Sequence, residues 1–189
     1  VIMSLLILLI VPLIASLALA FIGDRKYAPE VNILGSAATF GSSIQLALQV
    51  YEQGPILAGN NFFFVDAFSV YLTVLTAFVS MTTAIFSRRY MRREREHGTI
   101  GSRRMRFYHA MYQLFIFAML LCLLTNNVGI LWIAMELATL STVLLVSLYR
   151  TPAAIEAAWK YFILCGVGIA LALFGTVLLY FAAEKVLGA

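Results

Sequence analysis

The sequence predicts an all-α integral membrane protein of six transmembrane helices, and three observations carry that expectation. Of 189 residues, 62% are hydrophobic and only 12% charged, against about 45–50% apolar and about 25% charged in soluble domains. Mean hydropathy is +0.94. The apolar residues also stand in blocks of about twenty, each long enough to cross a hydrocarbon core of about 30 Å at about 1.5 Å per residue. A water-soluble chain of this size has too little interior to hide so much apolar surface. Barrel strands would run near ten residues with alternating polarity, a pattern these blocks lack.

The spans are read in order. The first, residues 1–22, carries no charge and ends at Gly23-Asp24-Arg25-Lys26. Ala18-Leu19-Ala20 mimics a signal-peptide cleavage site, but no basic stretch precedes the long apolar run, so a retained helix is expected. The second span, 31–51, contains Gln45 and Gln49. Glu52-Gln53-Gly54-Pro55 and Gly59-Asn60-Asn61 mark a loop before the third span, 62–86, which has Asp66 near its start. A polar loop, 87–106, precedes the fourth span, 107–125, and Asn126-Asn127 separates that from the fifth, 128–149. After Arg150-Thr151-Pro152 comes the sixth, 153–183; proline suits a helix's first turn, where its missing N–H costs nothing. Residues 1–189 read as one membrane domain.

Basic residues set the expected orientation. Arg88, Arg89, Arg92, Arg93, Arg95, Arg103, Arg104 and Arg106, all in the loop 87–106, are eight of the chain's thirteen Lys and Arg. Arg25, Lys26 and Arg150 add to the odd-numbered loops. The positive-inside rule puts those loops in the cytoplasm and both termini outside, in a multi-pass protein of the inner (plasma) membrane. The arginine loop is not read as a nucleic-acid surface, because Glu94 and Glu96 interrupt it and it lies where a topogenic loop belongs. Contact with anionic lipid headgroups, worth about 1 kcal/mol per basic residue near such a surface, is expected instead.

Several chemistries find no support. His97 and His109 lie in or beside the basic loop, not paired within spans as a transmembrane haem requires. Cys122 and Cys165 have no partners at metal-ligand spacing and read as small buried hydrophobes. Gly166, Gly168 and Gly175 do not form a dinucleotide fingerprint and are expected to let helix six approach a neighbour closely. No Walker motif occurs. If the chain belongs to a redox enzyme, its redox centres are therefore expected elsewhere.

Ionisable residues inside spans are the informative exceptions. Glu136 lies near the middle of helix five and Lys160 one to two turns inside helix six. A charge at the bilayer centre costs about 2.5–3.5 kcal/mol even on insertion scales, so such groups are paired, protonated or hydrated. The short turn between the two helices makes them antiparallel neighbours, with the two residues about 9 Å apart in depth. A carboxyl and an amine at that separation, bridged by water, can shift a proton at small cost, as a relay requires. Thr139 and Trp132 share the Glu136 face and can supply a hydroxyl and an indole N–H. For Lys160 a bland reading stands equally: Glu156 is four residues earlier, an ordinary helix pair. Asp66 reads first as a stabiliser of its helix's N-terminal end, and second, with Thr139, as a candidate member of the proton path. His109 and Gln113 share a face near the arginine loop, which makes His109 a weaker proton-entry candidate.

From the fourth span onward the residues resemble a family. Phe107-Tyr108, Met119, Asn126-Asn127, the Trp132-to-Glu136 spacing and Glu156-Ala157-Ala158-Trp159-Lys160-Tyr161 resemble the antiporter-like subunits of respiratory complex I and its relatives, above all component F of hydrogenase-4. Val65-Asp66 with Ser69, Tyr90-Met91-Arg92 and Glu96-His97-Gly98 are similar too. The resemblance implies part of an antiporter-like helical bundle, in a proton-translocating subunit beside other membrane subunits. A peripheral redox arm would hold iron–sulfur clusters and a nickel–iron site or flavin. It makes Glu136 the helix-five glutamate and Lys160 the helix-six lysine of the proton path. Family members have about fourteen helices built on inverted repeats; this sequence holds six, so another chain or further sequence would supply the missing antiporter half. A subunit of a multi-subunit sodium/proton antiporter and a non-conducting scaffold are the competing readings.

Overall fold

A computed structural model describes residues 2–23, 25 and 27–187; Val1, Gly188, Ala189 and the loop charges Asp24 and Lys26 lie outside the described residues. Six helices carry the chain: α1 (Ile2–Ile22), α2 (Ala28–Gln53), α3 (Ala67–Glu96), α4 (Ser102–Leu124), α5 (Val128–Val146) and α6 (Pro152–Leu187). All six are long and apolar enough to cross a membrane, and the chain is a multi-pass, all-α membrane protein as its composition requires. A 3-10 turn, Ser147–Tyr149, ends α5.

Two expectations about the connections are corrected. The basic segment 87–106 is mostly helix: α3 continues to Glu96 and α4 begins at Ser102. Arginine is a good helix former, and Arg93 and Arg95 in the last turn of α3 complement its negative end. The third span starts later than residue 62. Phe63–Val65 (β2) instead pairs antiparallel with Ile56–Ala58 (β1), around a turn in which Asn60 and Asn61 take positive φ. This hairpin caps one end of the bundle. Asn126 donates its backbone N–H to Phe62 O at 2.8 Å and its side-chain amide to Asn61 O at 3.1 Å, tying the hairpin to the α4–α5 turn. Asn127 then caps α5, its Oδ1 accepting from the Ile130 N–H.

Helix α4 is the hub, packing against α1, α3 and α5. Leu5 and Leu8 of α1, Leu46 of α2 and Ile116, Leu120 and Leu124 of α4 form the main apolar core. Gly23 ends α1 where an added Cβ would stand 2.7 Å from Arg106 Cα, so only glycine allows this approach. At the opposite end from the hairpin, Arg88 and Arg92 of α3 reach Glu30 of α2 at 2.6 and 3.5 Å. Tyr90 and Tyr149 share a hydroxyl–hydroxyl bond of 2.8 Å there. The odd-numbered connections thus gather at one basic end and the even-numbered at the other. Helix α6 packs on α5 and the turn before it, burying Ala158 and Ile169 while Leu164 and Leu171 stay exposed.

Candidate functional site

Glu136 sits in the middle of α5, half-buried, and makes no hydrogen bond or ion pair among the described residues. The buried face of α5 runs through Ala134, Ala138 and Ser141, with Thr139 buried at its edge. Glu136 is turned away from it, on the face that also carries Leu140 and Val143 at helical spacing. Two cross-helix bonds fix the register between α5 and α6: Trp132 Nε1 donates to Ile169 O at 3.4 Å, and the Thr142 and Tyr161 hydroxyls meet at 3.2 Å. In that register Glu136 lies level with Gly166, six residues, or about 9 Å, along the axis from Lys160.

The structure does not bring Glu136 and Lys160 into contact. Lys160 Nζ instead donates to Glu156 Oε1 at 2.5 Å, with both side chains about two-thirds exposed. Nor do the expected polar neighbours reach Glu136. The Thr139 hydroxyl bonds back to Met135 O on its own helix, and the Trp132 indole crosses to α6. Hydroxyls in apolar helices commonly satisfy themselves this way. Gly166, Gly168 and Gly175 have nothing within 4 Å of where a Cβ would stand, which corrects the expectation that they mediate close helix packing within this chain. Cys122 and Cys165 are half-buried free thiols on separate helices. Among the described residues no three His, Cys, Asp or Glu side chains converge.

Asp66 is the N-cap of α3. Its Oδ1 accepts the Ser69 N–H at 2.8 Å, and that bond holds the carboxyl below its ordinary range. The structural reading of Asp66 therefore accounts for its position.

His109 has a different setting. It is 1% exposed, on the α4 face that carries Gln113 one turn on. Gln113 Nε2 donates to Asn32 Oδ1 at 2.8 Å, Asn32 O at 3.0 Å and Ser36 Oγ at 3.1 Å. Gly35 makes room for this, since a Cβ there would meet Ala15 Cβ at 3.2 Å and Gln113 Nε2 at 3.4 Å. Both His109 nitrogens, Asn32 Nδ2 and Gln113 Oε1 are buried with no protein hydrogen-bond partner among the described residues. Groups of this kind ordinarily hold internal water. Sequence reading missed Asn32 and Ser36. Their signal was a stripe in the second span, Asn32, Ser36, Thr39 and Ser43, at helical spacing and wholly buried.

No protein-family model matches the chain. Over 177 residues it is 45% identical to a "Hydrogenase-4 component F homolog" of Methylacidiphilum infernorum (isolate V4), covering 94% of this chain. The chain is thus similar, over nearly all of its own length, to this hydrogenase-4 component F homolog. It spans about a third of that relative's length, 36%. The fold also matches a chain in the structure of the membrane-bound sulfane sulfur reductase, an archaeal respiratory membrane complex. There the TM-score is 0.80 at 20% identity, covering 97% of this chain and 38% of that one. The resemblance read from the sequence is thereby upheld.

Proposed function

We propose that this chain is an antiporter-like membrane subunit of a redox-driven complex of the hydrogenase or complex I type, and that Glu136 carries protons within it. The observation that carries the reading is a mid-span carboxylate, half-buried and without a protein partner, in a chain similar to a hydrogenase-4 component F homolog. An ionisable residue inside a membrane span without a protein partner is the kind of group that proton relays in pumps and transporters use. Lys160 lies toward the basic end, in reach of Glu156, and serves as the next station. The 9 Å between them is spanned by water or by groups from the remainder of the antiporter fold. His109, with Gln113, Asn32 and Ser36, is a second polar depth near the basic end, suited to passing protons inward from that side.

By the positive-inside rule the basic end is cytoplasmic. Partners on this reading are other membrane subunits, sequence or a chain supplying the missing antiporter half, peripheral redox subunits and membrane lipids. Iron–sulfur clusters and a nickel–iron site or flavin belong to the redox subunits.

The test is purification of the native assembly in mild detergent, reconstitution into vesicles, and simultaneous measurement of electron transfer and internal pH. Redox-linked acidification or alkalinisation, with nickel–iron or iron–sulfur proteins in the assembly, is the expected result. Sodium-dependent proton exchange with no redox protein present overturns the reading in favour of an antiporter.

A further inference from the structure

Two cavities meet at the basic end of the α5–α6 seam. The first, about 500 Å³, opens between the start of α4 and the turn that joins α5 to α6, and Arg103, Arg104 and Arg150 line it. None of these three side chains makes an ion pair or hydrogen bond among the described residues. Arg150 takes φ 53° as the left-handed cap of the 3-10 turn. Three guanidinium groups around one cavity with no acidic side chain in its lining repel one another, so the site is complementary to an anion.

The second cavity, about 390 Å³, is a furrow between two helices. Leu140, Val143 and Leu144 of α5 form one wall, and Ile155, Ala158, Trp159 and Phe162 of α6 form the other. On both helices the spacing is that of a single face. The α6 wall runs about 10 Å along the axis. Leu144 and Ser147 line both cavities, so the arginine-lined mouth continues directly into the apolar furrow.

We propose that this composite cavity binds one anionic phospholipid, its phosphate between Arg103, Arg104 and Arg150 and one acyl chain along the α5–α6 furrow. Arginine matches a phosphate with paired, charge-assisted N–H bonds, and the first turn of α4, beginning at Ser102, directs its positive end to the same region. The furrow distinguishes a lipid from a free phosphate: an inorganic ion would satisfy the arginines and leave an apolar trough unfilled beside it. Trp159, 60% exposed at the furrow's edge, is the residue type that settles at a membrane interface. This inference stands independently of the role of Glu136.

Native mass spectrometry of the intact assembly, delipidated and titrated with phosphatidylglycerol or phosphatidylcholine, tests it. The expected result is one phosphatidylglycerol retained per subunit, weakened about thirtyfold by the double change Arg104→Gln and Arg150→Gln. The control Arg89→Gln with Arg93→Gln, which removes equal charge from α3 outside the cavity, leaves it unchanged. Leu140→Trp, which fills the furrow from its exposed α5 wall, also weakens retention. Equal losses in the two double variants would reduce the effect to diffuse surface charge and overturn the proposal. So would tight binding of inorganic phosphate with no preference for phosphatidylglycerol. Wild-type protein supplies a check free of folding defects: its melting temperature rises with phosphatidylglycerol alone, and an equal rise with phosphatidylcholine contradicts the site.

Discussion

Asn127 shows how a single side chain organises this bundle, since its Oδ1 caps α5 while Asn126 beside it holds the hairpin. Asn127→Ala should cost about 1 kcal/mol, measurable as a lowered melting temperature in detergent. Asp66 plays the same part for α3 and adds a pH dependence. Its folded pKa is lowered from the reference value of 3.8, so its contribution is fully present above that value. That contribution is lost as pH falls through the lower folded pKa. Asp66→Asn keeps the acceptor without the titration, so melting curves from about pH 2 to 6 should show a flatter acid limb in that variant. Glu136 and Asp66 were legible in the sequence because a lone charge in an apolar run has few explanations. Asn32 and Ser36 were not, because short polar side chains in an apolar helix usually bond to their own backbone, and only the partner Gln113 gives these two a joint meaning.

Between elements, the decisive contacts are close approaches and buried amides. Gln113→Leu removes the donor that serves Asn32 and Ser36 and leaves their oxygens buried without it. A loss of about 1–3 kcal/mol is expected, and a conservative Gln113→Asn change should recover part of it only if the shorter amide still reaches α2. Gly23→Ala should be more damaging than an exposed alanine substitution, because its Cβ would collide with the Leu19 carbonyl and stand 2.7 Å from Arg106 Cα. Thermal unfolding of both variants in the same detergent checks the ranking. Six helices and their order could be read from hydropathy alone, since each apolar block must span the core. The helical character of 87–106 could not. Charge density marks where a chain leaves the membrane, and says nothing about whether the backbone stays hydrogen-bonded after it does. The α5–α6 register was approximated from loop length, and the Trp132 and Thr142 contacts place Glu136 where that estimate did, yet without the direct partner that pairing would need.

For the whole molecule, the two ends differ in charge and the outer face of α6 is apolar and open. A cysteine introduced at Thr99 should resist a membrane-impermeant thiol reagent added from outside intact cells, whereas one at Asn60 should react. The reverse pattern would invert the bundle. Exposed Leu164, Leu171 and Leu178 on α6 fit a chain that spans about a third of its relative, with neighbouring helices or lipid against that face. The central claim concerns Glu136, and the most direct measurement is proton flux per electron transferred in vesicles holding the native assembly with Glu136→Gln. Glutamine keeps size and polarity while removing the exchangeable proton. The account predicts an intact assembly whose flux per turnover falls at least about tenfold, the scale of losing one essential proton carrier. An assembled complex with unchanged flux per turnover would contradict it and leave the chain a membrane scaffold.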